Sequence, residues 1–195
     1  MICKLTGVIR VLINRIHFIF LNMSGKKISC QGKCTSRLDN EWAVSRGAGV
    51  KLGYHFASLK GCRFLVRNGL LEIGDNVGLN SNCIIACHKN IVISEGVEIG
   101  PNVCIYDHDH DFRCENGIKA GKYICDDVYI GKNTWIGANV VILKGSHIGD
   151  NCVIGAGSVI FGYVPNNTLV IQKRDTALKA ISLSEGVHNE SNDSN

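Results

Sequence analysis

Residues 130–160 read "IGKNTWIGANVVILKGSHIGDNCVIGAGSVI", and in them isoleucine returns every six positions, at 130, 136, 142, 148, 154 and 160. Small or modest residues fall four places after most of these, at Thr134, Val140, Ser146, Cys152 and Ser158, and glycine commonly follows the isoleucine, as at Gly131, Gly137, Gly149 and Gly155. An α-helix at 3.6 residues per turn would spread a six-residue period around all its faces. Short strands joined by tight turns explain it, each strand sending one aliphatic side chain inward. Three hexads then close a triangular coil, and stacked coils share one continuous core. The pattern predicts an all-β chain, a parallel β-helix.

The register extends outward from this stretch. Ile124 and Val128 continue it backwards, and Ile73, Leu79 and Ile85 keep it. Two extra residues then intervene before Ile93, Ile99 and Ile105. Before about residue 70 the period decays, and "GVKLG" (49–53) and "FLVRNG" (64–69) read as degenerate coils. Cys83 and Cys152 occupy the small-residue position, where a thiol packs as a small hydrophobe.

Bulk properties agree with one domain of 195 residues. Twenty-two glycines against two prolines suit many tight turns, and the net charge of +4 comes from 21 basic and 17 acidic residues. No basic run with interleaved aromatics points to nucleic acid. Residues 1–22 are apolar but interrupted by Lys4, Arg10, Arg15 and His17. That excludes a signal-peptide core or a membrane span and predicts an amphipathic helix, packed on the body or a partner subunit, or touching a membrane surface. The ten cysteines are accordingly expected to be reduced, in a cytoplasmic protein. Cys30 and Cys34, like Cys83 and Cys87, lack the second pair that a zinc ribbon needs, so no metal is expected. Three segments result: the helix at 1–22, the β-helix at 23–170, and a short C-terminal helix with a polar tail at 171–195.

The repeat breaks once more. Ile124 follows Ile105 after 19 positions, one more than a full coil, and "NVCIYDHDHDFRCENG" (102–117) enters the gap. A solenoid tolerates a loop leaving one corner, here residues 106–123. If residues 106–111 stay extended, His108 and His110 share one face and Asp107, Asp109 and Asp111 the other. A neutral imidazole, with a free pKa near ~6.5, can accept a proton at neutral pH. The aspartates are expected to be solvated anions, one of them able to fix the His110 tautomer by accepting its other N–H. His88 and His147 are expected at turns or on the surface.

The hexads "IGDNVG", "IGPNVC", "IGKNTW", "IGANVV", "IGDNCV" and "IGAGSV" resemble those of the hexapeptide-repeat transferases, which fold as left-handed parallel β-helices. Over roughly residues 48–170 the chain is most similar to galactoside-, maltose- and nodulation-type O-acetyltransferases and the related polysaccharide O-acetyltransferases. The resemblance implies a homotrimer with active sites between neighbouring β-helices, acetyl-CoA as cosubstrate, and a carbohydrate acceptor such as a bacterial surface polysaccharide or its precursor. It selects His110, eight residues beyond Asn102 of "PNV", as the general base that takes the acceptor hydroxyl's proton. His108 and Asp107 become neighbours of the acceptor, and Asn80 matches the acceptor-contacting asparagine. Trp135 matches the tryptophan of the coenzyme channel. Ala138 and Ala156 follow hexad glycines where the pantetheine arm runs, and Lys173 and Arg174 stand near the expected phosphate site. Two departures are plain: His88 replaces an acidic acceptor contact, and "VIQKRDTALKAI" replaces the usual "GxPAK"-like ending. A γ-type carbonic anhydrase uses the same fold, but its His-x4-His pair does not occur here. A non-catalytic scaffold, sugar N-acetyl transfer and antibiotic O-acetylation are the other readings.

Overall fold

The computed structural model describes residues 2–173 and Lys179. After a helix over Ile2–Met23, the chain winds as a left-handed parallel β-helix of three faces. The first face stacks seven strands, from Lys27–Cys30 to Tyr163–Val164. The second stacks seven, from Thr35–Ser36 to Leu169–Val170, and the third six, from Glu41–Val44 to Val159–Ile160. Every ladder within these faces is parallel, and register aligns the hexad isoleucines in columns: Ile93, Ile130 and Ile148 on the first face, Ile99, Ile136 and Ile154 on the second, Ile105, Ile142 and Ile160 on the third.

These columns are the core. Ile130, Ile136, Ile142 and Ile148 are wholly buried, as are Val140 and, nearly so, Thr134, Ser146, Cys152 and Ser158 at the small-residue positions. Each buried isoleucine contributes roughly 1.5–3 kcal/mol. The turns between faces need one residue in the left-handed region, and asparagine supplies it repeatedly, at Asn82, Asn102, Asn133, Asn139 and Asn151. The asparagines then bridge coils: Asn102 Nδ2 donates to Asn139 Oδ1 at 3.2 Å, and Asn133 Nδ2 to Asn151 Oδ1 at 3.4 Å. Gly137 meets a different demand, since a Cβ there would lie 2.7 Å from the backbone nitrogen of Ala156 in the next coil.

The first coils are regular but filled differently. Trp42 stacks on Phe64 at 3.9 Å, Phe56 packs edge-on to both, and Phe18 of the helix stands edge-on to Trp42 at 5.3 Å. Aromatic rings thus replace the isoleucine column, which is why the period fades there. Asn22 fastens the helix, accepting from Ile28 N–H and donating to Ile28 O, both at 2.7 Å.

Three expectations need correction. Ile124 sits on the six-residue count yet is 42% exposed, because it belongs to a strand outside the stack (Tyr123–Cys125). The segment 106–123 is not an irregular loop throughout: His108–His110 pairs antiparallel with Tyr123–Cys125, and a single 3₁₀ turn spans Gly117–Ala120. Cys30 and Cys34 form a disulfide, so the cysteines are not all thiols. The intervening turn, with Gly32 at φ +75°, brings their Cα atoms to 6.7 Å. The expected C-terminal helix and tail lie outside the described residues.

Candidate active site

The arm leaves the corner where the third face turns toward the first. On the third face Cys104–Tyr106 pairs with Ile84–Cys87 of the coil below, which brings the Asp-His run over His88. The two extra residues in that lower coil now have a purpose: the carboxylate of Asp107 accepts hydrogen bonds from the backbone N–H groups of His88 (2.8 Å), Lys89 (2.7 Å) and Asn90 (3.0 Å). Asp107 is wholly buried, so the expectation of solvated aspartates fails here, and its carboxylate faces the coil below instead of an acceptor. Oδ1 also lies 3.0 Å from Nδ1 of His108. This contact places the His108 proton on Nδ1 and leaves Nε2 as its basic nitrogen.

Alternation along the short strand puts His108 and His110 on one face, both against Tyr123, with ring centroids 5.3 and 4.7 Å from it. Asp109 points the other way, 3.6 Å from Lys144 Nζ. The His108 side chain is 14% exposed, whereas His110 is exposed. Beneath them His88 stacks flat on His108, centroids 3.6 Å apart and planes 7° from parallel, and Tyr123 closes edge-on at 4.4 Å. Burial, followed by the neighbouring His108, lowers the His88 pKa. Tyr106, edge-on to His108, is pushed up to about 12, first by burial and then by its hydrogen bond with Cys104. Among the described residues, no group of three or more His, Cys, Asp or Glu side chains is arranged to hold a metal.

The remaining predicted residues gather elsewhere. Register aligns Asn80, Gly100, Gly137 and Gly155 on successive coils, with Ala138 and Ala156 one step further on. All lie at the corner between the second and third faces. Ala138 is half-buried and Ala156 exposed. Trp135 stands outward on the second face, 58% exposed. Lys173 is exposed, and Arg174 lies outside the described residues. Asn80 Oδ1 accepts from Ser81 N–H at 2.7 Å, and its carbonyl accepts from the thiols of Cys62 and Cys83 at 3.1 and 3.3 Å. Within one chain the two groups are therefore not brought together: the strand Ile84–Cys87 runs between the Asn80 corner and His88, a span of about 13 Å at ~3.3 Å per residue.

Sequence reasoning missed His88 and Tyr123 as members of the histidine cluster. His88 carried a signal, since it stands where similar enzymes have an acidic residue. Tyr123 carried none, because only the antiparallel pairing of the arm places it.

Comparison with known proteins fits this architecture. Residues 118–162 match the family model described as bacterial transferase hexapeptide (six repeats). Escherichia coli WbbJ, described as a candidate lipopolysaccharide biosynthesis O-acetyl transferase, is 30% identical over 136 residues, covering 65% of this chain and 69% of WbbJ. The Escherichia coli galactoside O-acetyltransferase is 38% identical over 99 residues, covering 51% of this chain and 48% of that enzyme. Among solved structures, a hexapeptide-repeat acetyltransferase of Vibrio cholerae complexed with acetyl coenzyme A superposes with a TM-score of 0.52 at 30% identity, covering 63% of this chain and 64% of that one. The matched segment spans about half the length of several curated relatives.

Proposed function

This chain belongs to the hexapeptide-repeat acyltransferases, and from that premise we propose that it moves an acetyl group from acetyl-CoA to a hydroxyl of a carbohydrate. One observation carries the reading: two histidines share one face of a short strand at the point where an otherwise regular solenoid is interrupted. In this reading His110 is the base. As the acceptor oxygen attacks the thioester carbonyl, its proton passes to the imidazole. The C–S bond then breaks, the acetyl group stays on the sugar oxygen, and the imidazolium returns the proton to the departing thiolate. The acceptor is a surface polysaccharide or its precursor, a choice supported by the similarity to WbbJ.

The separation of the two groups of residues supports a homotrimer. Parallel copies would set the histidine corner of one chain against the Asn80, Trp135, Ala138 and Ala156 side of the next. The hydroxyl and the thioester would then meet in the cleft between them. Trp135, projecting from the second face, would line the coenzyme there, and Lys173 lies near the end that its phosphates would reach.

A second reading of the base rests on a specific contact. Asp107 fixes the His108 tautomer, as an orienting carboxylate does for a catalytic imidazole. The test is transfer of isotope-labelled acetyl from acetyl-CoA to a panel of sugars and oligosaccharides, read by mass spectrometry. Wild type, His110→Ala and His108→Ala are run in parallel. Loss of about 10²–10⁴ in rate confined to His110→Ala supports the first reading. The same loss confined to His108→Ala transfers the role to the Asp107-linked imidazole. A wild type that binds no acetyl-CoA overturns both.

A further inference from the structure

The N-terminal helix has two apolar faces, and the coils use only one. It contacts the first strands of the first and second faces, and Phe18 reaches Trp42 on the third. The helix therefore lies across the open end of the column. Asn14 and Phe18 are buried on its inner side and Leu21 partly so. At 100° per residue, the opposite side carries Leu12, Ile13, Ile16, Ile19, Phe20 and Met23, all exposed, with Ile16 at 68%, Phe20 at 69% and Met23 at 81%. Spacings of three and four make this a continuous stripe directed away from the coils. No helix among the described residues is long and apolar enough to cross a membrane, so the stripe suits lying on a surface.

Charge selects the surface. Residues 1–38 contain seven Lys or Arg (Lys4, Arg10, Arg15, Lys26, Lys27, Lys33, Arg37) and no acidic residue before Asp39. Arg15, Lys27, Lys33 and Arg37 are exposed. A second copy docked face to face on this stripe would bring two such cation clusters together, with only Asp39, already 3.9 Å from Arg37, to offset them in this segment. An anionic bilayer supplies both an apolar interior for the stripe and phosphates for the flanking cations.

We propose that the outer face of the N-terminal helix docks this protein on the surface of an anionic lipid bilayer, with the column of coils standing away from it. A trimer of parallel columns would present three such helices on one end, multiplying the attachment. The inference does not rest on the transferase reading, because vesicle binding needs neither acceptor nor coenzyme.

The test is co-sedimentation of the full chain with phosphatidylcholine vesicles, with and without phosphatidylglycerol. Binding is expected only with the anionic lipid and should weaken with salt. Ile16→Glu/Phe20→Glu should bind about 100-fold more weakly, near tenfold per residue, with unchanged melting temperature and oligomeric state. Leu12→Glu/Ile19→Glu, altering different positions of the stripe, should do the same. Failure of the full chain to sediment with anionic vesicles overturns the proposal. So does undiminished binding by both double variants. Dissociation of an oligomer by these variants, with vesicle binding intact, would assign the stripe to a second copy and also overturn it.

Discussion

Asp107 Oδ1 and His108 Nδ1 lie 3.0 Å apart, and the same carboxylate holds three backbone N–H groups of the coil below. One side chain thus ties the base of the arm to the solenoid and orients a ring of the candidate site. An amide in its place would turn one acceptor into a donor facing donors. Asp107→Asn is expected to cost about 2–4 kcal/mol, read as a lower urea midpoint at pH 7.5. A variant of wild-type stability would show that the backbone contacts need no carboxylate.

His88 should make stability depend on pH in a recognisable direction. Its folded pKa is lowered by burial and by His108, whereas the unfolded chain titrates near ~6.5. Below that value the unfolded state binds more protons, so stability is full above ~6.5 and declines as pH falls toward the folded pKa. His88→Phe keeps a ring on His108 but removes the titration. Between pH 7.5 and 5.5 its melting temperature should fall less than that of wild type. Parallel falls in the two proteins would sink the assignment.

Ile124 and Ile130, six residues apart, provide a contrast in packing. Ile130 is wholly buried, and Ile130→Ala should cost about 2–5 kcal/mol through the cavity it leaves. Ile124 is in the arm and 42% exposed, so Ile124→Ala should stay within roughly 0.5 kcal/mol. Chemical denaturation of the two variants decides it; equal losses would put Ile124 in the core after all.

Trp135 tests the coenzyme side. At 58% exposure its removal should leave the melting temperature nearly unchanged, while Trp135→Ala should weaken acetyl-CoA binding about tenfold, some 1.4 kcal/mol. Calorimetric titration checks this, and unchanged affinity would move the coenzyme off the second face.

The coils from residue 70 onward were legible because one side-chain class repeats at one interval, and burial follows that interval closely from Ile130 to Ile160. The earlier coils were hard to read because their interior is filled by Trp42, Phe56 and Phe64, which share volume across coils instead of repeating within each. At the site, the shared face of His108 and His110 follows from strand alternation and could be foreseen. The burial of Asp107 could not, since it depends on three backbone N–H groups presented by a different coil. Nor could the stacking of His88 on His108, which arises from coil-to-coil register between residues 20 positions apart. The count of six misled at Ile124, where an interval persisted by coincidence after the chain had left the stack.

The position of the N-terminal helix has a consequence for solubility. A parallel β-helix ends in open strand edges, each a template for another chain. Here Phe18, Asn22 and Leu21 close the lower end by covering Trp42 and binding Ile28. Without that plug the strands at Lys27–Cys30, Thr35–Ser36 and Glu41–Val44 would offer a flat, three-sided docking plate to the far end of another column. Head-to-tail growth into fibres would then follow from the same geometry that builds the monomer.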